Sequence, residues 1–316
     1  MKQFLSRLKP FLRWAILGGT LFFLARVLRS HWAGVATIRL NGSSWAYLTI
    51  ALGITLSAHI TAGWVWSWIL RDLRQPVLPI PIIQAYLKTT IAKYLPGNIW
   101  HYYGRITAAT RAGATSPTAT LSVLLEPLLM AAAALLLTLL CSQQIAARYG
   151  GWAVGLQGLS LVAVLAIVHP KTLNFLLQRL SRAKQLAAPT SLEPAKGTTD
   201  RLEGYPVGPL LGELSFVLLR GIGFLFTLLA VSPIAAEQIL LLLSGFSLAW
   251  LLGLVVPGAP GGVGVFEATA LVLLGQSFPL ESLLAGVALY RLISVLAEVI
   301  GATMAWLDQQ WFTSVD

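Results

Sequence analysis

Residues 255–267 read VVPGAPGGVGVFE, and this stretch interrupts a long apolar region of the chain. It contains two prolines and four glycines, and it ends in the carboxylate Glu267. In a bilayer, non-helical backbone is tolerated only where protein buries it or where it lines a water-filled cavity. The stretch therefore predicts a break in a membrane-embedded helix, and it is the first candidate for a functional site.

The composition of the whole chain is typical of a membrane protein. Of its 316 residues, 56% are hydrophobic and 11% are charged, and the mean hydropathy is +0.75. Soluble domains carry about 25% charged residues. The net charge of +10 does not indicate nucleic acid, because most Lys and Arg flank apolar runs, where they fix topology and contact anionic lipid heads. We therefore predict an all-α polytopic membrane protein with no nucleic-acid partner.

Apolar runs long enough to cross a bilayer predict about seven transmembrane helices, at residues 14–28, 45–70, 121–141, 152–168, 210–231, 234–256 and 281–307. Two shorter segments broken by Pro and Gly either cross or re-enter the membrane, and the sequence leaves both open. The polar, basic segment 170–206 divides a single membrane domain into halves 1–169 and 207–316. Basic residues in this segment and before residue 14 predict that both lie in the cytoplasm, with the protein in the cell (inner) membrane.

Residues 93–105 read KYLPGNIWHYYGR and form the second interruption. We prefer a helix that enters the membrane, breaks at Pro96-Gly97 and returns. The alternative is an amphipathic helix at the interface with snorkelling lysines. In each interruption a charged residue follows Pro-Gly by eight or nine positions, Arg105 in the first and Glu267 in the second. Broken segments at corresponding places in two halves are typical of a transporter's binding site.

Ionisable side chains inside apolar runs form a second signal, at Glu126, Glu213, Arg220, Glu267, Arg291 and Glu298. Each costs roughly 2.5–3.5 kcal/mol at a helix centre, so such residues face a protein interior or a wet cavity. Glu213 and Arg220 are seven residues apart on one helix face, as are Arg291 and Glu298. Internal salt bridges and ligand contacts both remain open for them. Three of the carboxyl groups are also candidate proton carriers: Glu126, Glu213 and Glu298.

A helix that begins after Gly264 would direct unpaired N–H groups and the positive end of its dipole into the break. This geometry suits a phosphate or carboxylate. Arg105 and Arg291 would add charge-assisted, bidentate contacts to the same phosphate. Glu267 would orient one arginine or bind an amine headgroup. The sequence therefore predicts a site for the anionic head of a lipid.

Motifs of common enzymes are missing from the sequence, among them HExxH, the Walker lysine loop and GxSxG. A single Cys excludes an internal disulfide, and four scattered His with one Cys provide no framework for a metal ion. We therefore predict that the protein is not an enzyme and that it has no cofactor.

Three motifs resemble the signatures of one family. They are KYLPG at residues 93–97 with Gly104-Arg105, PGAPGGVGVFE at 257–267, and LYRL at 289–292. They are similar to the lysylphosphatidylglycerol synthase transmembrane-region family, also described as flippase-like, and the resemblance covers nearly the whole chain. It implies lipid translocation or lipid handling without lysyl transfer, because the chain ends at Asp316 without a synthase domain. With its motif residues, the predicted headgroup-binding set is Lys93, Arg105, Pro257, Gly258, Pro260, Gly261, Gly262, Gly264, Glu267, Tyr290 and Arg291.

The expected function is thus flippase-like handling of a phospholipid or glycolipid whose headgroup binds at the broken helices. Two alternatives remain. In one, the chain is a non-transporting assembly factor that docks a lipid-modifying enzyme through basic residues 171–201. In the other, it is a membrane-embedded transferase that acts on a polyprenyl-phosphate lipid, with Glu267 as base.

Overall fold

The computed structural model describes residues 39–95, 99–139, 150–187, 202–256 and 260–313, together with the single residues Arg29 and Ala146. Within these ranges the chain forms ten α-helices and no strand. Six of these helices are long and apolar enough to cross a membrane. The predicted class, an all-α polytopic membrane protein, is therefore confirmed. The span predicted at residues 14–28 lies outside the described residues.

The helices, in chain order, are α1 (Gly42–Asp72), α2 (Pro79–Thr90), α3 (Trp100–Arg111), α4 (Ser116–Leu139), α5 (Gly151–Val168), α6 (Pro170–Ala187), α7 (Val207–Leu229), α8 (Ala236–Val255), α9 (Val265–Leu274) and α10 (Leu280–Thr313). Two 3-10 turns, Ile91–Tyr94 and Pro260–Gly262, follow α2 and precede α9. The six membrane-crossing candidates are α1, α4, α5, α7, α8 and α10, and each coincides with one predicted apolar run.

Helices α1 and α7 form the centre of the packing, because glycines of α7 let the two backbones approach closely. A Cβ atom at Gly212 would lie 2.4 Å from Val65, and one at Gly223 would lie 2.5 Å from the Thr55 hydroxyl. Small residues at such contacts are typical of helix association in membranes. The pair α1–α7 is therefore the scaffold on which the shorter elements are placed.

Four aromatic rings join α9 to the long helices around it. Phe224, Phe246, Phe266 and Tyr290 come from α7, α8, α9 and α10, and the Phe224–Tyr290 centroid distance is 5.3 Å. Edge-on ring pairs of this kind add roughly 0.5–1.5 kcal/mol each beyond the area they bury. The short helix α9 is thus held inside the bundle by its own aromatic residue.

The first broken segment returns to the side from which it starts. The Thr115 N–H, just after α3, donates to the Gln75 side-chain oxygen, just before α2, at 2.9 Å. A Cβ atom at Gly113 would lie 3.8 Å from the Pro76 carbonyl oxygen. Helices α2 and α3 therefore form a re-entrant hairpin, as the preferred interpretation predicts.

Helices α8 and α9 form a second hairpin. The Gln238 amide, near the start of α8, donates to the Ser277 carbonyl just after α9, at 2.9 Å. At the other end, Gly253 lies against Gly262. The open end of this hairpin is thus at Gln238 and Ser277. Its tip is the turn at residues 260–264, which we call the glycine-rich turn.

The two hairpins start from opposite ends of the bundle. Arg74, after α1, pairs with Glu203, before α7, so both lie at the end where α2 begins. Helix α7 then runs to the far end, and α8 begins there after a short connection. With about 1.5 Å per residue, α2 extends roughly 18 Å from its end of the bundle, a little over half of a hydrocarbon core of about 30 Å. Helix α10 begins three residues after Ser277 at the other end, and its Arg291, which bonds to the Gly261 carbonyl, lies about 16 Å along the helix. The tips of the two hairpins therefore meet near mid-depth.

Candidate functional site

The two interruptions come together in space at their 3-10 turns. Gly261 and Gly262 have φ angles of 60° and 71°, in the left-handed region that glycine adopts at little cost. A Cβ atom on Gly261 would lie 2.6 Å from the ring of Tyr94, which belongs to the other turn. The close approach of the two tips thus depends on the absence of a side chain at residue 261.

A cavity of ≈ 130 Å³ lies where the two tips meet. An apolar cavity of about 150 Å³ can hold a benzene molecule. The space therefore suits a phosphate or a similar small polar group and is too small for a whole lipid. Four charged side chains line it: Lys93, Arg220, Arg291 and Glu298.

Arg291 and Glu267 hold the glycine-rich turn in place. The Arg291 Nε atom donates to Glu267 Oε1 at 2.6 Å, and its Nη1 atom donates to the Gly261 carbonyl at 3.0 Å. The second carboxylate oxygen of Glu267 accepts the Gly264 N–H at 2.6 Å. Arg291 thus joins α10 to the turn through a planar guanidinium fork, a geometry that an ammonium group cannot copy.

The Glu267 contact changes one expectation from the sequence. A free helix N-terminus at Gly264 was expected to receive the ligand, and the structure places the Glu267 carboxylate at that position. The acidic residue in the first turn already satisfies the Gly264 N–H and opposes the positive end of the helix dipole. The predicted role of Glu267 in orienting an arginine does match the geometry.

Lys93, Glu298, His59 and Arg220 form a connected polar group beside the cavity. Lys93 Nζ lies 2.6 Å from Glu298 Oε1, which lies 3.5 Å from His59 Nε2. Arg220 Nη1 lies 3.0 Å from the same His59 nitrogen. Since arginine has donors only, His59 accepts this hydrogen bond. His59 thus joins Arg220 to Glu298 through one ring nitrogen.

Arg220 is a buried cation without a carboxylate partner in the described part of the chain. Its residue exposure is 7%, its Nη1 atom lies 3.0 Å from His59 Nε2, and the centroid of the Tyr290 ring is 5.4 Å away. The Glu298 carboxylate lies on the other side of the shared His59 nitrogen, at 3.5 Å from it. Its Nε atom is buried and has no hydrogen-bond partner among the described residues. The same is true of Nδ1 of His101, which also lines the cavity. Three other lining residues also carry a buried polar atom without a hydrogen-bond partner among the described residues: Tyr94 Oη, Ser294 Oγ and Glu298 Oε2. The cavity lining therefore holds five such atoms and one cation without a carboxylate partner.

Arg105 occupies a different place from the one the sequence suggests. Its Nη1 atom lies 2.7 Å from Glu126 Oε2, and its guanidinium lies 3.7 Å above the Tyr86 ring. Arg105 is not among the residues that line the cavity. The structure therefore separates Arg105 from Arg291, so they do not share one phosphate here.

The structure brings together most of the other predicted headgroup residues. Lys93, Gly261, Gly262, Tyr290 and Arg291 line the cavity, and Gly264 and Glu267 lie directly behind the turn. Pro257 and Gly258 lie outside the described residues, and Pro260 is described only as backbone of the 3-10 turn.

The salt bridges within one helix that the spacing leaves open, Glu213–Arg220 and Arg291–Glu298, do not occur among the described ion pairs. Each arginine instead bonds to a residue of a neighbouring helix or turn. The sequence-based set consequently omits Arg220 and Glu298 as cavity residues. The sequence feature that points to Arg220 and Glu298 as cavity residues is their position as charged residues inside apolar runs.

No family model matches the chain, and no curated protein matches it. Within the described ranges, no group of three or more His, Cys, Asp and Glu side chains is placed to hold a metal ion.

Proposed function

We propose that this membrane protein binds the anionic or zwitterionic headgroup of a lipid in the cavity between the two hairpin tips and helps the lipid to change leaflet. The observation that carries the proposal is Arg220, a buried guanidinium that lines the cavity without a carboxylate partner in the described chain. An uncompensated buried charge costs several kcal/mol. The planar guanidinium binds phosphate oxygens through charge-assisted hydrogen bonds that are often bidentate.

The opposed hairpins support movement across the membrane as well as binding. Broken helices that meet near the midplane place a site within reach of both leaflets, as in transporters built on discontinuous helices. The lipid tails would remain in the bilayer, because the cavity accommodates a group of phosphate size. The resemblance to the lysylphosphatidylglycerol synthase transmembrane-region family agrees with this function, and we propose membership of that family on the motifs.

Basic residues at one end of the bundle support a proposal for the orientation in the cell membrane. Arg71 lies in the last turn of α1 and Arg74 follows that helix, and Lys171, Arg179 and Arg182 lie on α6. Arg74 pairs with Glu203, and the neighbouring Leu202 N–H donates to Asn174 of α6 at 2.8 Å, so the two groups lie at the same end. By the positive-inside rule we propose that this end is cytoplasmic, in the inner membrane, which places the N-terminus there too if residues 14–28 cross once.

The transferase alternative gains no support from Glu267. Both of its carboxylate oxygens are engaged, one by Arg291 and the other by the Gly264 N–H. A general base needs a free oxygen within reach of the proton that it removes. The assembly-factor alternative is left to experiment.

The test is native mass spectrometry of detergent-purified protein, with the wild type compared with Arg220→Gln and with the control Arg111→Gln. Arg111 is exposed at the end of α3 and lies outside the cavity. We expect one lipid class to be enriched on the wild type and the control and lost from Arg220→Gln. A hydrogen bond to a charged group is worth roughly 1.5–3 kcal/mol, or about tenfold to a hundredfold in affinity.

The same lipid profile on all three folded proteins would contradict the headgroup site and favour the assembly factor. A lipid class that is lost from Arg220→Gln becomes the cargo for a liposome assay of leaflet exchange. If the protein binds this lipid but does not exchange it between leaflets, translocation is refuted and lipid binding remains as the function.

A further inference from the structure

A second polar cluster lies apart from the cavity, around Arg105. This arginine comes from α3 and pairs with Glu126 of α4 at 2.7 Å. A third charged residue, Glu213 of α7, acts electrostatically on both. The exposed fractions of Arg105, Glu126 and Glu213 are 5%, 1% and 0%. The cluster therefore places two carboxyl groups and one cation in the interior.

Glu213 has no compensating contact within the described part of the chain. Both of its carboxyl oxygens are buried and lack a hydrogen-bond partner, and it takes part in no described ion pair. An ionised carboxylate in such a place carries a penalty of several kcal/mol, which a neutral carboxyl group avoids. Arg105 has one charge, and Glu126 already neutralises it. The charge balance of the cluster therefore lacks one positive charge.

We propose that Glu126 and Glu213 form a proton-binding site, in which the pair holds one proton and shares the single cation Arg105. The proton resides on a Glu213 oxygen while Glu126 stays ionised against Arg105. Two neighbouring carboxyl groups that interact strongly lose their protons in two separate steps that belong to the pair. The loss of this proton would leave α4 and α7 with two carboxylates that compete for one guanidinium.

The remaining titratable groups around the site are spread over several helices. Tyr86 of α2 contacts Arg105 and also interacts with both carboxyl groups. The ring of His59, on α1, has its centroid 6.3 Å from that of Phe216 on α7. Phe216 lies between Glu213 and Arg220 along α7, so His59 faces the part of the helix toward Arg220. Helices α8 and α10 also pack against α7, and Tyr290 of α10 bonds to the Arg220 carbonyl, away from Glu213. Within the described ranges, Arg105 is thus the cation that acts on the pair.

This inference is independent of the ligand in the cavity. The Arg105 cluster shares no residue with the cavity lining, so it stands even if no lipid binds there. A proton site beside a transport cavity is nevertheless what a transporter needs to couple movement to a proton gradient.

The test is infrared difference spectroscopy of the full chain in lipid nanodiscs, recorded between mildly acidic and alkaline pH. A protonated carboxyl group has a C=O stretching band that a carboxylate lacks. We expect the wild type to retain such a band at neutral pH and Glu213→Gln to lose it. The matched control is Glu203→Gln, because Glu203 is exposed and pairs with Arg74 at the end of the bundle. The control should keep the band.

Three outcomes would overturn the proposal. One is a wild-type spectrum without a protonated carboxyl band at neutral pH, and another is a band that persists unchanged in Glu213→Gln. The third is a Glu213→Gln protein that fails to fold while the control folds. Glutamine copies the shape and the neutrality of a protonated glutamate, so a protonated Glu213 requires that this substitution be tolerated.

Discussion

The contact between the two hairpin tips can be tested by adding one methyl group, with Gly261→Ala. In the structure this Cβ atom would lie 2.6 Å from the Tyr94 ring, closer than non-bonded carbon atoms approach. The residue also has a φ of 60°, which an alanine adopts at a cost. The substitution therefore perturbs the molecule in two separable ways.

Both contributions can be given a magnitude. The left-handed backbone conformation costs alanine about 1–2 kcal/mol relative to glycine. Insertion of an extra carbon into a packed contact costs a further ~1–3 kcal/mol, because the Tyr94 ring must move. We expect Gly261→Ala to lower the free energy of unfolding by about 2–5 kcal/mol. In a Tyr94→Ala background the steric part disappears and only the backbone part, about 1–2 kcal/mol, remains.

The assay is a double-mutant cycle over Gly261→Ala and Tyr94→Ala, with stability measured by denaturant titration in micelles. The control is Gly53→Ala, at an exposed position of α1 with nothing within 4 Å of the added Cβ. Alanine there should stabilise the helix by about 0.5–1 kcal/mol. A cost of Gly261→Ala that is equal with and without the Tyr94 ring would refute the contact between the tips. No cost in either background would refute the left-handed turn as well.

Three further predictions address the charge clusters and the topology. Glu126→Gln should be tolerated, because Glu213 can ionise and replace Glu126 beside Arg105. The double variant Glu126→Gln with Glu213→Gln should lower the free energy of unfolding by about 3–5 kcal/mol in thermal unfolding experiments, because it leaves Arg105 unpaired. Equal losses of stability for the single and double variants would contradict this prediction. Arg291→Lys should cost about 1.5–3 kcal/mol by loss of its bonds to Gly261 and Glu267, whereas the exposed Arg111→Lys should stay within about 0.5 kcal/mol. In a Cys141→Ser background, Arg111→Cys and Gln276→Cys should react with a membrane-impermeant thiol reagent from opposite faces of oriented vesicles, and labelling from one face would contradict the opposed hairpins.

Hydropathy alone was enough to predict the spans, since the bilayer imposes a minimum apolar length on every crossing helix. The six spans that fall in the described chain each coincide with a predicted run. The break at residues 257–264 was also predictable, because several Pro and Gly residues in an apolar run are incompatible with a lipid-facing helix. These features depend on local composition, which the sequence contains in full.

The partners of the buried charges could not be predicted in the same way. The seven-residue spacing of Glu213 and Arg220 is compatible with a pair on one helix, but Arg220 bonds to His59, which is 161 residues away. Glycines at residues 212 and 223 bring α1 against α7, and that packing selects the partner. A single sequence reports periodicity along a helix and carries no direct information about which helix lies opposite.

The buried charges, taken together, link the two proposals. Four cations and four carboxyl groups belong to the two clusters and the glycine-rich turn: Lys93, Arg105, Arg220, Arg291, Glu126, Glu213, Glu267 and Glu298. The four positive charges equal the four carboxyl groups in number, but they are unevenly distributed. The cavity and its glycine-rich turn have one more cation than carboxyl groups, and the Arg105 cluster has one more carboxyl group than cations. An anion in the cavity and a proton on Glu213 would correct both excesses at once and leave the interior neutral.

This neutrality predicts that the two ligands help each other to bind. Glu213 and Arg220 are seven residues apart on α7, or about 10 Å along the helix axis. At an effective dielectric constant of about 20, unit charges at that distance interact by about 1.7 kcal/mol, so a proton on Glu213 should strengthen anion binding at Arg220 by on the order of tenfold. Because such coupling is reciprocal, the anionic headgroup should raise the proton affinity of the carboxyl pair by the same factor. A cavity that binds its anion equally well in the wild type at neutral and alkaline pH would show that the two sites are independent.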